Sequence, residues 1–446
     1  MMGRLSAQEE LFYEFRLDEH VPADHLLRRI DVAVDFGFVH ARLAASYSHT
    51  GRPSVDPELM LRMLLVGCLY GIRSERRLCG EVHLNLAYRW FCRLGLRGRV
   101  PDHSTFSKNR YARFRENDLF RVFFEEVVRR CAAAGLAGGR DSAVDASFVE
   151  ADASWEKKLP GATAANAWVD TDTVTRPVRE YLEALDADLP PETREVAPQK
   201  HVSPVDPQAG WSTKPGRGRF GYATNYYIDT ETSLIMDVEA SPARFGAEVS
   251  TTSVMVRRTH ERLGVKPERL AADAAYGSAP LLNWLLDEGL EPHIPVMDRR
   301  DQTQGKLSRK AFAYDPASDS FTCPEGRRLT YRGMDRSASS HAYYAKPADC
   351  AVCPSKAVCT AGPARRVIRL FHEEARDQVR ALKDTPGYAR SRKLRRRIER
   401  LFGHLKRNMR FTRLKLRGLN GAAEEFLLAA TAQNLQLLAS VTARPA

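Results

Sequence analysis

Residues 390–417 read RSRKLRRRIERLFGHLKRNMRFTRLKLR: 28 residues with 13 Lys or Arg and one acidic side chain, Glu399. Leu394, Ile398, Leu401, Leu405 and Met409 recur at spacings of three and four, the apolar stripe of an amphipathic helix. Arg392, Arg395, Arg396, Glu399 and Lys406 fall on a second face beside that stripe. One arginine suffices to pair a lone glutamate, so the remaining cations answer to something else. Two readings follow. In one, this is a solvated basic helix with an i,i+4 pair worth only ~0.3–0.5 kcal/mol. In the other, it is an anion-binding helix whose carboxylate carries a metal ion. The second needs further carboxylates elsewhere.

The whole chain leans the same way. Its 446 residues carry 68 Lys+Arg against 56 Asp+Glu, a formal charge of +12 with a pI near 9.4. A clustered basic surplus points to a polyanion, and nucleic acid is the usual one. Hydrophobic content of 43% and charged content of 28% are those of an ordinary globular chain long enough for about three domains. Met1–Phe15 lacks the apolar core of a secretory signal. The longest apolar run, Met63–Ile72, is half of the ~20 residues a membrane span needs. Cys68, Cys79, Cys92 and Cys131 are scattered through helical patterns, as free core thiols are. A reducing, cytoplasmic setting without membrane partners is the expectation.

Residues 1–137 are predicted to be all-helical. Asp56-Pro57 caps a helix over Leu59–Ile72, Ser74 caps the next through Trp90, Pro101–Thr105 breaks the pattern, and Asn117 opens a last helix through Cys131. Lys108, Arg110, Arg113 and Arg115 could dock DNA as a helix-turn-helix variant, and a plain helical packing domain fits equally well. Beyond Gly138-Gly139 the pattern changes. Ser142–Val149 reads as a buried strand, Ala223–Ile228 with Leu234–Val238 as a hairpin, Arg269–Ala272 and Pro292–Val296 as strands, and Glu248–Leu263 and Ala279–Leu286 as helices. This mixed α/β core is expected over 138–300 and 366–446, helical again from Val367, with a last helix over Glu424–Val441. Two segments interrupt it: a proline-rich insertion at 155–219, with a short helix near Val178–Leu185, and a cysteine-bearing insertion at 301–365.

Asp145 sits mid-strand among small and apolar residues, where a carboxylate is costly unless paired or bound to a cation. Asp273 ends another apolar strand, the usual location of sites in open α/β sheets, although a strand-end Asp often only caps a turn. Asp141, Asp152 and Asp237 stand nearby; strand context favours Asp145, with Asp141 next. Three hard oxygen ligands suit Mg²⁺ or Mn²⁺. Two such ions can activate water and stabilise the leaving 3′ oxygen of a phosphodiester.

With these residues the chain resembles bacterial insertion-sequence transposases of the DDE type. Their C-terminal signature is Tyr-x2-Arg-x3-Glu-x6-Lys; Arg395, Glu399 and Lys406 match it, and Arg392 stands at the Tyr position. Val144-Asp145-Ala146-Ser147 and Ala272-Asp273-Ala274-Ala275-Tyr276-Gly277 resemble the family's two Asp strands. Asp56-Pro57, Pro101–Thr105, Ser203–Ala209 and Gly221-Tyr222 are similar to one branch that carries an N-terminal helical domain. The resemblance implies a ribonuclease-H-like catalytic core, with Asp145, Asp273 and Glu399 holding two Mg²⁺ or Mn²⁺ ions. It further implies DNA contacts by Arg392, Arg395, Arg396, Lys406, Arg407 and Arg410. The implied activity is cleavage and strand transfer of element ends into target duplex DNA, by a homodimer on DNA at the nucleoid. A nuclease that never joins strands and a DNA-binding regulator or inactive copy are the rival readings.

Cys323-x26-Cys350-x2-Cys353-x5-Cys359 is the remaining motif. Four thiols with one Cys-x2-Cys pair fit a structural zinc site, against the alternative of a reduced, metal-free loop. His103 and His404 read as surface or capping residues.

Overall fold

A computed structural model describes residues 15–48, 50, 54–161, 174–186, 199–213, 216–244, 246–296, 305–336 and 339–442. Much of the proline-rich segment expected at 155–219 therefore lies outside the described residues, as does most of Met1–Phe15.

The N-terminal part is helical, as its caps predict. Helix α1 (Leu26–Ala33) is followed by α2 (Pro57–Leu69), where the Asp56 side chain accepts from the Glu58 and Leu59 amides and Pro57 occupies the first turn. Ser74 caps α3 (Glu75–Leu84). Asn85 then stops that helix and caps α4 (Leu86–Phe91), so the single helix expected through Trp90 is two. Helix α5 (Ser104–Asn109) runs into a π-helical turn, Arg110–Phe114, before α6 (Leu119–Ala133).

Strand β1 (Asp141–Glu150) is the centre of the main sheet. A short helix, α7 (Arg176–Asp186), and a short strand, β2 (Gly210–Ser212), precede the hairpin β3 (Arg219–Asp229) and β4 (Ile235–Pro242). Helix α8 (Ala247–Leu263), strand β5 (Arg269–Ala271), helix α9 (Ala279–Asp287) and strand β6 (Glu291–His293) follow. β3 pairs antiparallel with β1 and carries β4 and β2 on its far edge; β5 and β6 extend the other side in parallel. The parallel half needs crossovers, and α8 and α9 supply them.

Between β6 and the C-terminal helices lies a second, antiparallel sheet of five strands in chain order: β7 (Ala313–Asp315), β8 (Ser320–Thr322), β9 (Arg328–Asp335), β10 (Ser340–Tyr344) and β11 (Arg366–Leu370). Phe312, Phe321, Leu329, Tyr343 and Val367 form its small core. The chain is thus not helical from Val367. Val367 and Arg369 are buried while Arg366, Ile368 and Leu370 are exposed, the period-two alternation of a strand. Helix α10 (Glu373–Leu382) comes after it. Glu373 is fully buried and meets Arg309, Arg376 and Arg380 at 3.6, 3.2 and 2.8 Å, which pins the second sheet to this helix.

The basic stretch is not one helix. α11 (Pro386–Leu394) and α12 (Arg396–Arg407) meet at Arg395, and residues beyond Asn408 leave the helix, with Arg410 at a φ of 56°. Ile398, Leu405 and Met409 are buried as the stripe requires, and Leu394 and Leu401 are half-buried.

The last helix, α13 (Leu419–Thr442), joins the halves of the molecule. Phe426, Leu427, Leu428, Leu435 and Leu438 are buried in one core with α1, α2, α6 and the sheet. Each such side chain contributes roughly 1.5–3 kcal/mol of burial. Asn434 treats the edge of β4 as a partner strand would: its Oδ1 accepts from the Ile235 amide at 3.0 Å and its Nδ2 donates to the Ile235 carbonyl at 2.8 Å. Gln433 accepts from the Tyr226 hydroxyl at 2.9 Å. From α6, Arg121 reaches Asp237 at 2.6 Å, and Arg258 of α8 holds the same carboxylate at 2.8 Å. No described helix is long and apolar enough to cross a membrane.

Candidate active site and nucleic-acid interface

The pairing that sets Asp141 opposite Arg269 and Ala143 opposite Ala271 has one constant offset. The pairing ends there: β5 stops at Ala271, and Asp273 lies two residues beyond it, at the start of the turn Ala274–Tyr276. Asp273 is near enough to Asp145 to raise its carboxyl electrostatically. Asp273 also caps the turn Ala274–Tyr276 by accepting the Ala275 amide at 2.8 Å, so the structural and site readings of this Asp coexist.

Arg395, at the joint between α11 and α12, ties the third carboxylate to the first. Its Nη1 lies 3.1 Å from Asp145 Oδ2, and its Nη2 lies 3.4 Å from Glu399 Oε1. Burial pushes the Asp145 carboxyl up to about 6. The Ala146 amide and Arg395 hold it down, while Asp273 and Glu248 push it further up. Glu248, in the first turn of α8, is therefore an electrostatic neighbour of the cleft. Among the described residues the hydroxyl of buried Tyr276 has no hydrogen-bond partner, and its acidity is suppressed by burial and then by Asp145, Glu248 and Asp273.

The donor chemistry suits Mg²⁺ or Mn²⁺: three carboxylates, with the most buried of them destabilised as an anion until a cation is near. Among the described residues, however, no three His, Cys, Asp or Glu side chains converge tightly enough to hold an ion. The Arg395 guanidinium stands between Asp145 and Glu399.

Of the other cations named from sequence, Arg392, Arg396, Arg407 and Arg410 are exposed, and Lys406 is half-buried. Lys406 lines a groove of about 450 Å³ with Phe148, Glu150, Arg217, Arg219 and Thr412. Arg219 also lies 5.7 Å over the half-exposed ring of Trp155. Glu248, Arg217 and Arg219 were not legible as site residues, because nothing in their local sequence distinguishes them; Tyr276 was quoted only within the Asp273 motif.

The rival carboxylates are occupied elsewhere. Asp237 is held by Arg121 and Arg258, and Asp152 by Arg413 at 3.1 Å and Arg417 at 2.9 Å. Asp141 is buried at the foot of β1, accepting from Ser391 at 2.9 Å. The helix-turn-helix cations are also mostly internal: Arg110 pairs with Glu75 at 3.1 Å, Arg113 lies 4.1 Å over Tyr47, and Arg115 pairs with Glu180 and Glu424. Only Lys108 of the four is fully exposed. His404 is half-buried against Gln433 at 3.1 Å, and His103 is half-exposed beside Asp102.

Cys323, Cys350 and Cys353 lie within electrostatic reach of Cys359, although the four sulfurs do not converge to ligand distance. Burial raises the Cys359 thiol, and the other three sulfurs raise it further. Cys323 Sγ accepts the Arg327 amide at 3.3 Å across a turn whose Gly326 has a φ of 75°.

Residues 15–112 match the family described as Transposase domain (DUF772), and residues 322–439 match the Transposase DDE domain. The second match contains Glu399 and the four cysteines; Asp145 and Asp273 precede it. A cryo-EM structure of a piggyBac transposase synaptic complex with hairpin DNA is similar to this chain at 11% identity. It matches over 96% of this chain and 77% of that one, with a TM-score of 0.35. A search of curated proteins found no match. The two matches, to a transposase domain over the N-terminal helices and to a transposase DDE domain over the stretch that bears Glu399, support an insertion-sequence DDE transposase.

Proposed function

We propose that this transposase cuts and joins the ends of its own element at the cleft of Asp145, Asp273 and Glu399, on a ribonuclease-H-like core. Supporting the core is a sheet in which β4, β3 and β1 run antiparallel while β5 and β6 continue in parallel beside β1. The observation that carries the site is the parallel pairing of β1 with β5, which brings Asp273 into electrostatic reach of Asp145, joined to Glu399 through Arg395.

Asp145, Asp273 and Glu399 would hold two Mg²⁺ or Mn²⁺ ions, which, when bound, lower the pKa of water and offset charge on a leaving oxygen. Cleavage forms a bond from water oxygen to phosphorus and breaks the P–O3′ bond, leaving a 3′ hydroxyl. Joining forms a new P–O3′ bond from that hydroxyl and releases the 3′ oxygen of the target strand. The chain's own part is electrostatic and positional. Arg395 favours the ionised form of Asp145, which burial alone would neutralise. Arg217, Arg219 and Lys406 hold strand phosphates in the groove beside the cleft, with Arg392, Arg396, Arg407 and Arg410 along its approach. Two element ends call for two copies, so the DNA-bound form is a homodimer at the nucleoid.

The test uses a plasmid bearing this gene with its native flanks, purified wild type and Glu399→Gln, and Mg²⁺. Cuts at the element borders by wild type alone support the reading. Cutting without joining leaves a nuclease, and binding without cutting by both proteins leaves a DNA-binding regulator.

We further propose that the four thiols hold one structural zinc ion that staples the second sheet, supported by their Cys-x2-Cys spacing, the electrostatic reach of the other three sulfurs to Cys359 and the amide bonded to Cys323 Sγ. Metal analysis of protein purified without chelators should find about one zinc per chain, lost in Cys353→Ser. Zinc-free wild type would end this assignment.

A further inference from the structure

Beneath the cleft lies a polar chain that neither the carboxylate triad nor the DNA-facing cations use. Asp141, Ser391 and His293 are 1%, 1% and 2% exposed, and they come from β1, α11 and β6. Ser391 Oγ lies 2.9 Å from Asp141 Oδ1 and 2.7 Å from His293 Nδ1. A serine has one proton to give, and an ionised carboxylate can only accept. The Ser391 hydroxyl therefore donates to Asp141, and its oxygen lies within hydrogen-bond reach of His293 Nδ1. His293 Nε2 in turn meets Glu291 Oε1 at 2.6 Å. Arg269 and Arg390 reach Asp141 at 3.4 Å each.

The placement of this chain matters more than its strength. Ser391 and Arg395 stand one turn apart at the end of α11, and Asp141 and Asp145 stand four residues apart on β1. The two bonds, Ser391 to Asp141 and Arg395 to Asp145, are rungs joining the same helix segment to the same strand. Four residues advance about 6 Å along a helix and about 13 Å along a strand. Rungs that start level thus diverge by about 7 Å, a gap that a long arginine side chain closes and a serine could not. Short residue at the near rung and long residue at the far rung is the order found.

We propose that Ser391, fixed between Asp141 and His293, is a positioning residue that sets the register of α11 against β1. Arg395 then meets Asp145, and Glu399 one turn later faces the cleft. Ser391 is buried and touches no substrate, so its removal should spare DNA binding and slow the chemical step. The proposal rests on the reading of Asp145 and Glu399 as the cleavage site.

The test uses the full-length protein and the plasmid with native flanks under single-turnover conditions. Ser391→Ala should bind DNA within about twofold of wild type and cleave at least about tenfold more slowly, as for a small misplacement of a reacting group. Ser391→Thr, which keeps the hydroxyl, should recover most of the rate. Ser391→Ala combined with Arg395→Ala should be no slower than Arg395→Ala alone, because both act through one contact. Amide hydrogen exchange at residues 394–400 should rise in Ser391→Ala while α13 stays protected. Wild-type cleavage by Ser391→Ala, or losses that multiply in the double variant, would overturn the proposal. Should Ser391→Ala fold poorly, His293→Phe keeps the ring beside Tyr388, deletes the bond to Ser391 and carries the same expectations. If wild type and Glu399→Gln behave alike, the cleavage-site reading fails instead. Exchange alone then judges the register, and unchanged protection at 394–400 rejects it.

Discussion

Arg395 donates to Asp145 across 3.1 Å, and the same guanidinium reaches Glu399 at 3.4 Å. One cation thus stands between a buried carboxylate on the sheet and an exposed one on the helix.

Asp145 should therefore titrate late in metal-free protein. Its carboxyl, raised to about 6 chiefly by burial, is neutral below that pH and ionised above it. Since Arg395 lowers this value, Arg395→Ala should move the midpoint higher still. Carbon-13 spectra of Asp-labelled, metal-free protein would show it. Mn²⁺ affinity should fall as pH drops through 6, because a ligand must lose its proton to bind. An ordinary carboxylate midpoint in both proteins would remove Arg395 from this role.

Asp206 makes a stability prediction of the opposite sign to the usual aspartate. It is fully buried, accepting from the Tyr222 hydroxyl at 2.5 Å and the Gly418 amide at 3.2 Å, and burial raises it to about 6. The folded value lies above the unfolded one, ~3.9, so the folded state binds more protons in between. Its contribution is fully present below ~4 and is lost as pH rises through 6, a swing of ~3 kcal/mol. Asp206→Asn should flatten the pH dependence of urea unfolding between ~4 and ~6. An unchanged slope would count against the protonated carboxyl.

The N-terminal helices are held to α13 by charge as well as by packing. Arg115 pairs with buried Glu424 and with Glu180, and Arg73 pairs with buried Glu425 while lying 3.6 Å over Phe411. Arg115→Ala strands a buried carboxylate and should cost about 3 kcal/mol or more in denaturant unfolding. Adding Glu424→Gln should return a large part of that loss.

DNA affinity separates the groove from the helix once read as a recognition element. Arg219→Ala or Lys406→Ala should each lower the slope of log affinity against log salt by ~1, across all sequences. Arg110→Ala should leave that slope unchanged, because Arg110 is spent on Glu75. The reverse pattern, in binding titrations between low and moderate salt, would restore the helix as the DNA-facing element.

The sequence by itself determined much of this protein. Asp56-Pro57 and Ser74 fix helix starts through bonds made within three residues, so local chemistry suffices. The small-residue strand around Asp145 and the cap around Asp273 were likewise legible, as were the alternating and i,i+4 apolar patterns. The strand Arg366–Leu370 escaped, since five residues carry little periodicity and its pairing partner, β10, confers the structure. So did the break at Arg395. What only the tertiary structure decided was company. Asp145 and Asp273 become electrostatic neighbours because two strands 128 residues apart pair in parallel, and Glu248 joins them from a predicted helix whose sequence did not mark it as a site residue. Arg110, Arg113 and Arg115 looked like DNA contacts until folding supplied Glu75, Tyr47, Glu180 and Glu424 as partners. Patterns repeated every few residues are written in the chain, because backbone geometry reads them locally. Which charge finds which partner depends on long-range packing, and no single segment encodes it.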